Sequence, residues 1–179
     1  IFLLDAGQRV VHADLGPATV AGLARTADLK NRRYRLVSQM RVRAGDDYVA
    51  YVRRVLSSQP PEPASVPEYD LRMFTDLAEM RRELFRREDE VGLARLVAGY
   101  AWPWKTKRDS SGFDIEIDGL QLRWNSTETD WVGSRKSVNE VGSIHTIQGY
   151  DLNYAGVIIG PDIRYDASRR TLTFDRSNY

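Results

Sequence analysis

Cysteine is absent from the 179 residues. Neither a disulfide nor a thiolate metal site can organise this chain, and a reducing compartment, the cytoplasm, is the expectation. No apolar run approaches the ~20 residues that a membrane helix needs, and no basic-then-apolar leader is recognisable, so no membrane partner is expected. Excess charge of one sign is also missing: 26 basic and 25 acidic residues leave a net +1. Any electrostatic case for nucleic acid must therefore come from local clusters. A phosphate loop is lacking too. The nearest candidate, "WVGSRKS" (131–137), carries Arg135 where Gly-x-x-x-x-Gly-Lys-Ser/Thr requires its second glycine. Histidine occurs only twice, which makes His145 conspicuous.

What is present describes a globular α/β chain. Hydrophobic content of 42% and charged content of 28% suit one well-buried domain or part of a larger one. The chain opens on "IFLLD", without Met, in the manner of a buried strand. We therefore expect a piece whose preceding residues supply that strand's neighbours. Residues 18–27 predict a short helix with Val20, Leu23 and Ala24 inward, and "YRLVSQMRV" (34–42) a second strand. Asp46 or Asp47 caps a helix running to Leu56 with Tyr48, Val52, Val55 and Leu56 on its buried stripe. Four prolines make 59–68 a surface loop. "YDLRMFT" (69–75) reads as a third strand, followed by a capping box, Asp76 with Glu79, and a helix to Val91. Leu77, Met80, Leu84 and Val91 form that helix's inner face, and "RREDE" a solvated one. "ARLVAGYAW" (94–102) predicts a fourth strand. "FDIEIDGLQLRWN" (113–125) predicts a hairpin turning at Asp118-Gly119. "GVIIG" predicts another strand and "IRYDASRRTLTFD" a last hairpin. Strands alternating with helices argue for a largely parallel sheet.

Few constellations carry chemistry. Asp114, Glu116 and Asp118 share one hairpin face, but no Lys follows as a metal-dependent nuclease requires, so a solvated face accounts for them. No metal site is expected. "YAWPWKTKR" (100–108) interleaves Tyr100, Trp102 and Trp104 with Lys105, Lys107 and Arg108. Such a segment can stack bases and neutralise phosphate, and equally it can plug the end of a sheet. "VGSIHTIQGYDLNYAGVIIG" (141–160) sets His145 and Thr146 in a loop, then Gln148-Gly149 at a turn into a helix, then Asp151. Backbone donors at a helix start suit a phosphate. Alone, the stretch also reads as a satisfied loop and a plain turn.

Three stretches in order resemble superfamily 1 helicase motifs. Ser143-Ile-His145-Thr146-Ile-Gln148-Gly149-Tyr-Asp151 resembles motif V. "LLDAGQRV", with Asp5 and Gln8, resembles motif III, and "LVSQMRV", with Gln39 and Arg41, resembles motif IV. More narrowly, "SQMRVRAGDDYVAYV", "AGYAWPW" and "SIHTIQGYDLNYAGVIIGPDIRYD" resemble the Schlafen-type ATPase/helicase domain of bacterial proteins, across nearly the whole chain.

The resemblance implies an α/β, RecA-like P-loop NTPase second domain: a mostly parallel sheet, helices on both faces and inserted β-hairpins. Residues 1–179 would form that one domain, with 1–16 ending the first RecA-like domain and 103–130 a hairpin insertion. ATP would lie between the two RecA-like domains. The resemblance makes Arg41 an arginine finger and Gln8 a γ-phosphate sensor. It places Asp5, Gln39, Gln148, Gly149 and Asp151 at the nucleotide. His145 and Thr146 would lie nearer the backbone of a single-stranded DNA or RNA, and the aromatic-basic segment adds Trp102, Trp104, Lys105 and Lys107 as candidate contacts to it. ATP and Mg²⁺ would act in the full-length protein, and this piece alone would hold neither tightly. Asp151 stands where Glu is usual, and motif VI is not recognisable before Tyr179. The alternatives are an ATP-gated regulatory NTPase that binds without unwinding, and a plain interaction domain.

Overall fold

The computed structural model describes residues 15–34, 45–57, 69–109, 111–175 and 177. They belong to two units, Ile1–Gln39 and Met40–Tyr179. The strand over 1–5, nearly all of 34–42 and the proline-rich 59–68 lie outside the described residues.

In the first unit, α1 (Pro17–Leu29) starts with proline at its first turn, where a missing N–H forfeits no helical bond. Val20, Leu23, Ala24 and Ala27 make a half-buried stripe at helical spacing.

The second unit opens with α2 (Gly45–Val55). The helix already runs through positions 46 and 47, so both acidic residues fall in its first turn rather than at the cap. Tyr48, Val52 and Val55 are half-buried as expected, whereas Leu56 lies past the helix end and is exposed. The Tyr48 ring sits 4.1 Å from that of Tyr69. Burial, then its hydrogen bond to Tyr69, pushes the Tyr48 phenol up to about 12.

Residues 69–75 are not a strand. Arg72 bonds Asp70 and Glu83, at 2.7 and 2.9 Å, which ties the segment to the following helix instead of a sheet ladder. Leu71 and Met73 are left exposed. In α3 (Leu77–Val91) Asp76 caps the helix by accepting from the Glu79 N–H at 3.0 Å, the forward half of the capping box. Leu77 and Leu84 are buried and Met80 packs beside them, but Val91 in the last turn faces solvent. Nor is the charged run only a solvated face. Glu88 accepts from the Ala94 N–H at 2.8 Å and from Arg95 at 2.7 Å, and the Arg87 guanidinium lies 4.6 Å above the Tyr154 ring.

Strand β1 (Ala94–Ala98) is buried throughout and central. It pairs in parallel with β4 (Val141–Gly142) and β5 (Tyr154–Ile158), giving the order β4-β1-β5. Between them in sequence lies the antiparallel hairpin β2 (Ile115–Ile117) and β3 (Leu120–Leu122). Asp118 and Gly119 both have positive φ, 49° and 81°, as its two-residue turn demands. A parallel bridge from Trp124 to Val141 seats the hairpin stem against β4. Helix α3 covers the sheet: a Cβ on Gly156 would stand 3.6 Å from Leu84 of the helix, an ordinary contact, and 3.0 Å from Leu96 of β1, which is the tighter approach. The single charge inside β1 is absorbed. Arg95, 5% exposed, donates to Glu88, Ser137 Oγ and the Val132 carbonyl. The last hairpin, β6 (Ile163–Asp166) with β7 (Thr171–Phe174), forms as expected.

Candidate functional site

All three parallel strands end on one edge, and the loops that leave them meet there. Ligands of open α/β sheets bind beyond this carboxyl edge. The loop after β1 carries Tyr100, Trp102 and Trp104. The Tyr100 ring lies 6.2 Å from Trp104, 5.5 Å from Trp124 and 6.0 Å from His145, and Trp104 lies 6.1 Å from Trp124. Lys107 Nζ sits 5.1 Å over the Trp104 ring and 3.5 Å from Glu128.

Asp114 holds that loop in place. Only 4% exposed, it accepts from the Thr106 N–H at 2.8 Å, the Thr106 hydroxyl at 2.6 Å and the Trp124 N–H at 2.9 Å. The expected solvated carboxylate face is therefore corrected: Glu116 and Asp118 are exposed, while Asp114 is an internal clamp.

The loop after β4 is anchored from below. Thr146, 4% exposed, donates to the Ser143 carbonyl at 2.8 Å and to Asn125 Oδ1 at 3.4 Å. Asn125 Oδ1 also accepts from the Ser143 N–H at 3.2 Å. Thr146 thus supports the loop, and its hydroxyl is taken up inside the fold rather than offered to a polymer. His145 is exposed above it, against Tyr100. No helix follows Gln148-Gly149; the loop continues as turns, with Gly149 at φ 88°. No helix N-terminus is therefore present there to favour an anion. Gln148, Gly149 and Asp151 are exposed on the outer limb. Tyr150 donates to Asp130 at 3.1 Å, and that bond raises the phenol above its ordinary range.

The loop after β5 closes against the first. A Cβ on Gly160 would strike the Ala101 methyl and come within 3.2 Å of the Trp102 ring. Trp102, Trp104, Lys107 and His145 are thus brought to one rim, joined by Tyr100, with Lys105 exposed on the same loop. Trp124, Asn125 and Asp114, all buried, support it from beneath; the sequence places Asp114 on a solvated hairpin face and singles out neither Trp124 nor Asn125. Trp124 and Asn125 lie in the alternating hairpin segment, and nothing in that alternation marks them as partners of another loop. Asp5, Gln8, Gln39 and Arg41 lie outside the described residues.

A family model described as Schlafen group 3, DNA/RNA helicase domain, matches residues 1–179. The chain belongs to the Schlafen group 3 DNA/RNA helicase domain family. This helicase-family chain is also 32% identical over 108 residues to an uncharacterised protein of Saccharomyces cerevisiae, covering 58% of this chain and 23% of the yeast protein. It therefore spans about a quarter of that relative. The resemblance pointed to bacterial proteins, and this relative is fungal. No solved structure matches. Among the described residues, the parallel three-stranded sheet, the hairpins and the three α-helices of this Schlafen-type domain are compatible with a RecA-like fold.

Among the described residues of the Schlafen group 3 domain, no three His, Asp or Glu side chains are grouped to hold a metal ion. Nor is any described helix long and apolar enough to cross a membrane. Tyr100, Trp102 and Trp104 are half-buried and pack against the hydrophobic core, so they plug the end of the sheet. The part of each ring left open is free to stack. Aromatic faces beside ammonium groups suit unpaired bases and their phosphates.

Proposed function

We propose that the chain is the second motor domain of an ATP-dependent DNA or RNA helicase or translocase, gripping a single strand at its carboxyl-edge rim. One observation carries the reading. The motif-V-like loop and the aromatic-basic loop are in contact, through the 6.0 Å approach of Tyr100 and His145. A polymer lying across Trp102, Trp104 and His145 is then within a few residues of Gln148, Gly149 and Asp151, the positions the family resemblance assigns to nucleotide.

In this proposal the phosphate loop and the Mg²⁺ ligands belong to the rest of the polypeptide. Arg41 enters as the finger that stabilises charge in phosphoryl transfer, with Gln8 sensing the same phosphate. Support is the order of the three motif-like stretches along one family-matched chain.

The test uses the full-length protein. Single strands should stimulate its ATPase, and Arg41→Ala should lower kcat by roughly 10³–10⁵-fold with little change in KM. Arg41→Lys should restore little, since an ammonium lacks the planar fork. A kcat within about twofold of wild type, set against that range, would remove Arg41 from the mechanism. Stimulation without strand displacement would point to the regulatory NTPase instead.

A further inference from the structure

A second surface lies on the other side of the hairpin stem. Arg81 of α3, Phe113 and Arg123 of the hairpin, and Arg135 and Lys136 line a groove of about 440 Å³. The local charge is lopsided, in a chain whose total is nearly neutral. Its carboxylate, Glu140, is 7% exposed and turned inward, accepting from the Trp131 indole N–H at 2.8 Å and the Ser126 N–H at 3.0 Å.

The groove's cations lack carboxylate partners among the described residues. Arg123 donates to the Gly112 carbonyl and lies 4.8 Å over the Phe113 ring. Arg81 donates to Asn139 at 3.2 Å, while its buried Nε finds no acceptor. Elsewhere on α3, by contrast, Arg86 and Arg87 are locked to Glu83 and Glu90. A cluster of unpaired cations fits a polyanion, and a 41% exposed Phe113 ring beside them fits an unstacked base.

We propose that this groove is a second contact for the same single strand, with phosphates on Arg81, Arg135 and Lys136 and a base on Phe113. Continuity supports it. Phe113 precedes the clamp Asp114, and Arg123 precedes Trp124 of the rim cluster, so a strand leaving the rim need only cross the hairpin stem. The proposal rests on the functional reading for the class of polymer and not for the location.

The experiment measures binding of the full-length protein to labelled oligodeoxythymidylate and oligouridylate across a salt series. Arg135 and Lys136 are exposed, so Arg135→Gln with Lys136→Gln should fold normally. That pair should weaken binding on the order of tenfold and reduce the salt slope by roughly 1.4, two contacts at about 0.7 each. Phe113→Ala should weaken binding by roughly 5- to 150-fold and leave the slope intact, as lost stacking does. Arg164→Gln with Arg169→Gln, an equal charge change off the groove, should do neither. Equal affinity and slope in the groove and control pairs would overturn the inference. If Trp102→Ala abolished binding in that event, the rim reading would survive alone. Loss at the groove with none at Trp102 would keep the groove and remove the rim.

Discussion

Asp114 stabilises the candidate site from beneath without reaching a ligand. Asp114→Ala strands the Thr106 and Trp124 N–H groups inside the protein. Bonds to charged groups and orphaned donors each weigh about 1–3 kcal/mol, so a loss of about 3 kcal/mol is expected. For a chain of this size that lowers Tm by roughly 6–12 °C. Thermal unfolding checks the size, and a shift in tryptophan emission checks that Trp104 and Trp124 have lost their setting. Gly142 offers a contrasting case: a Cβ there would run into the Trp131 indole, so Gly142→Ala should cost about 1–3 kcal/mol by overpacking, read from denaturant midpoints. Neither residue was legible beforehand. Period-two alternation assigns Asp114 to a face, but the Thr106 loop that covers that face comes from outside the hairpin. Thr146 reads as an exposed loop residue for a different reason: its hydroxyl donates at 2.8 Å to the Ser143 carbonyl within its own turn, and the turn is buried against Asn125.

Helix α3 carries a network of ion pairs beside its apolar stripe. Glu83 meets Arg86 at 2.6 Å, Arg72 at 2.9 Å and Arg87 at 3.0 Å. The Arg86 bond chiefly lowers its carboxyl from 4.5 to about 2. A folded value below the unfolded one means that its stabilisation is complete above about pH 4.5 and fades as pH falls toward about 2. Glu83→Gln should therefore melt below wild type at neutral pH, and the gap should close in melts taken down to that lower limit. A persistent gap would show that shape, not charge, matters there. Arg95 is the deeper strut. Burial pushes the Glu88 carboxyl up, but the Ala94 N–H and the Arg95 guanidinium outweigh it and hold it below the usual range. Arg95→Leu breaks a largely buried pair and should cost about 3 kcal/mol, the lower end for such losses because Glu88 is partly exposed, again measured by denaturation. At this scale periodicity served the sequence reading well for α3, β1 and both hairpins. It failed over 69–75, where Leu71 and Met73 alternate like a strand while Arg72 and Asp70 are spent on α3.

For the molecule as a whole, residues 1–179 carry no phosphate loop. The isolated chain is accordingly expected to show ATP turnover no higher than a boiled control in a phosphate-release assay; robust turnover would remove the half-motor proposal. The family was legible because motif-like stretches occur in order, and Trp102, Trp104, Lys107 and His145 stood out as candidates. Their convergence was not legible, since Tyr100, Trp124 and His145 meet only when the sheet forms. That sheet has one more consequence. Its middle strand is made first, and Ala98 waits for Ile158, some 60 residues later, before its ladder is complete. At about 5–20 residues per second, a nascent chain carries β1 without its second neighbour for roughly 3–12 s. During that interval an apolar strand edge is open on the ribosome. Synthesis arrested within the β4–β5 connection should therefore recruit chaperones, and release of β5 should dismiss them.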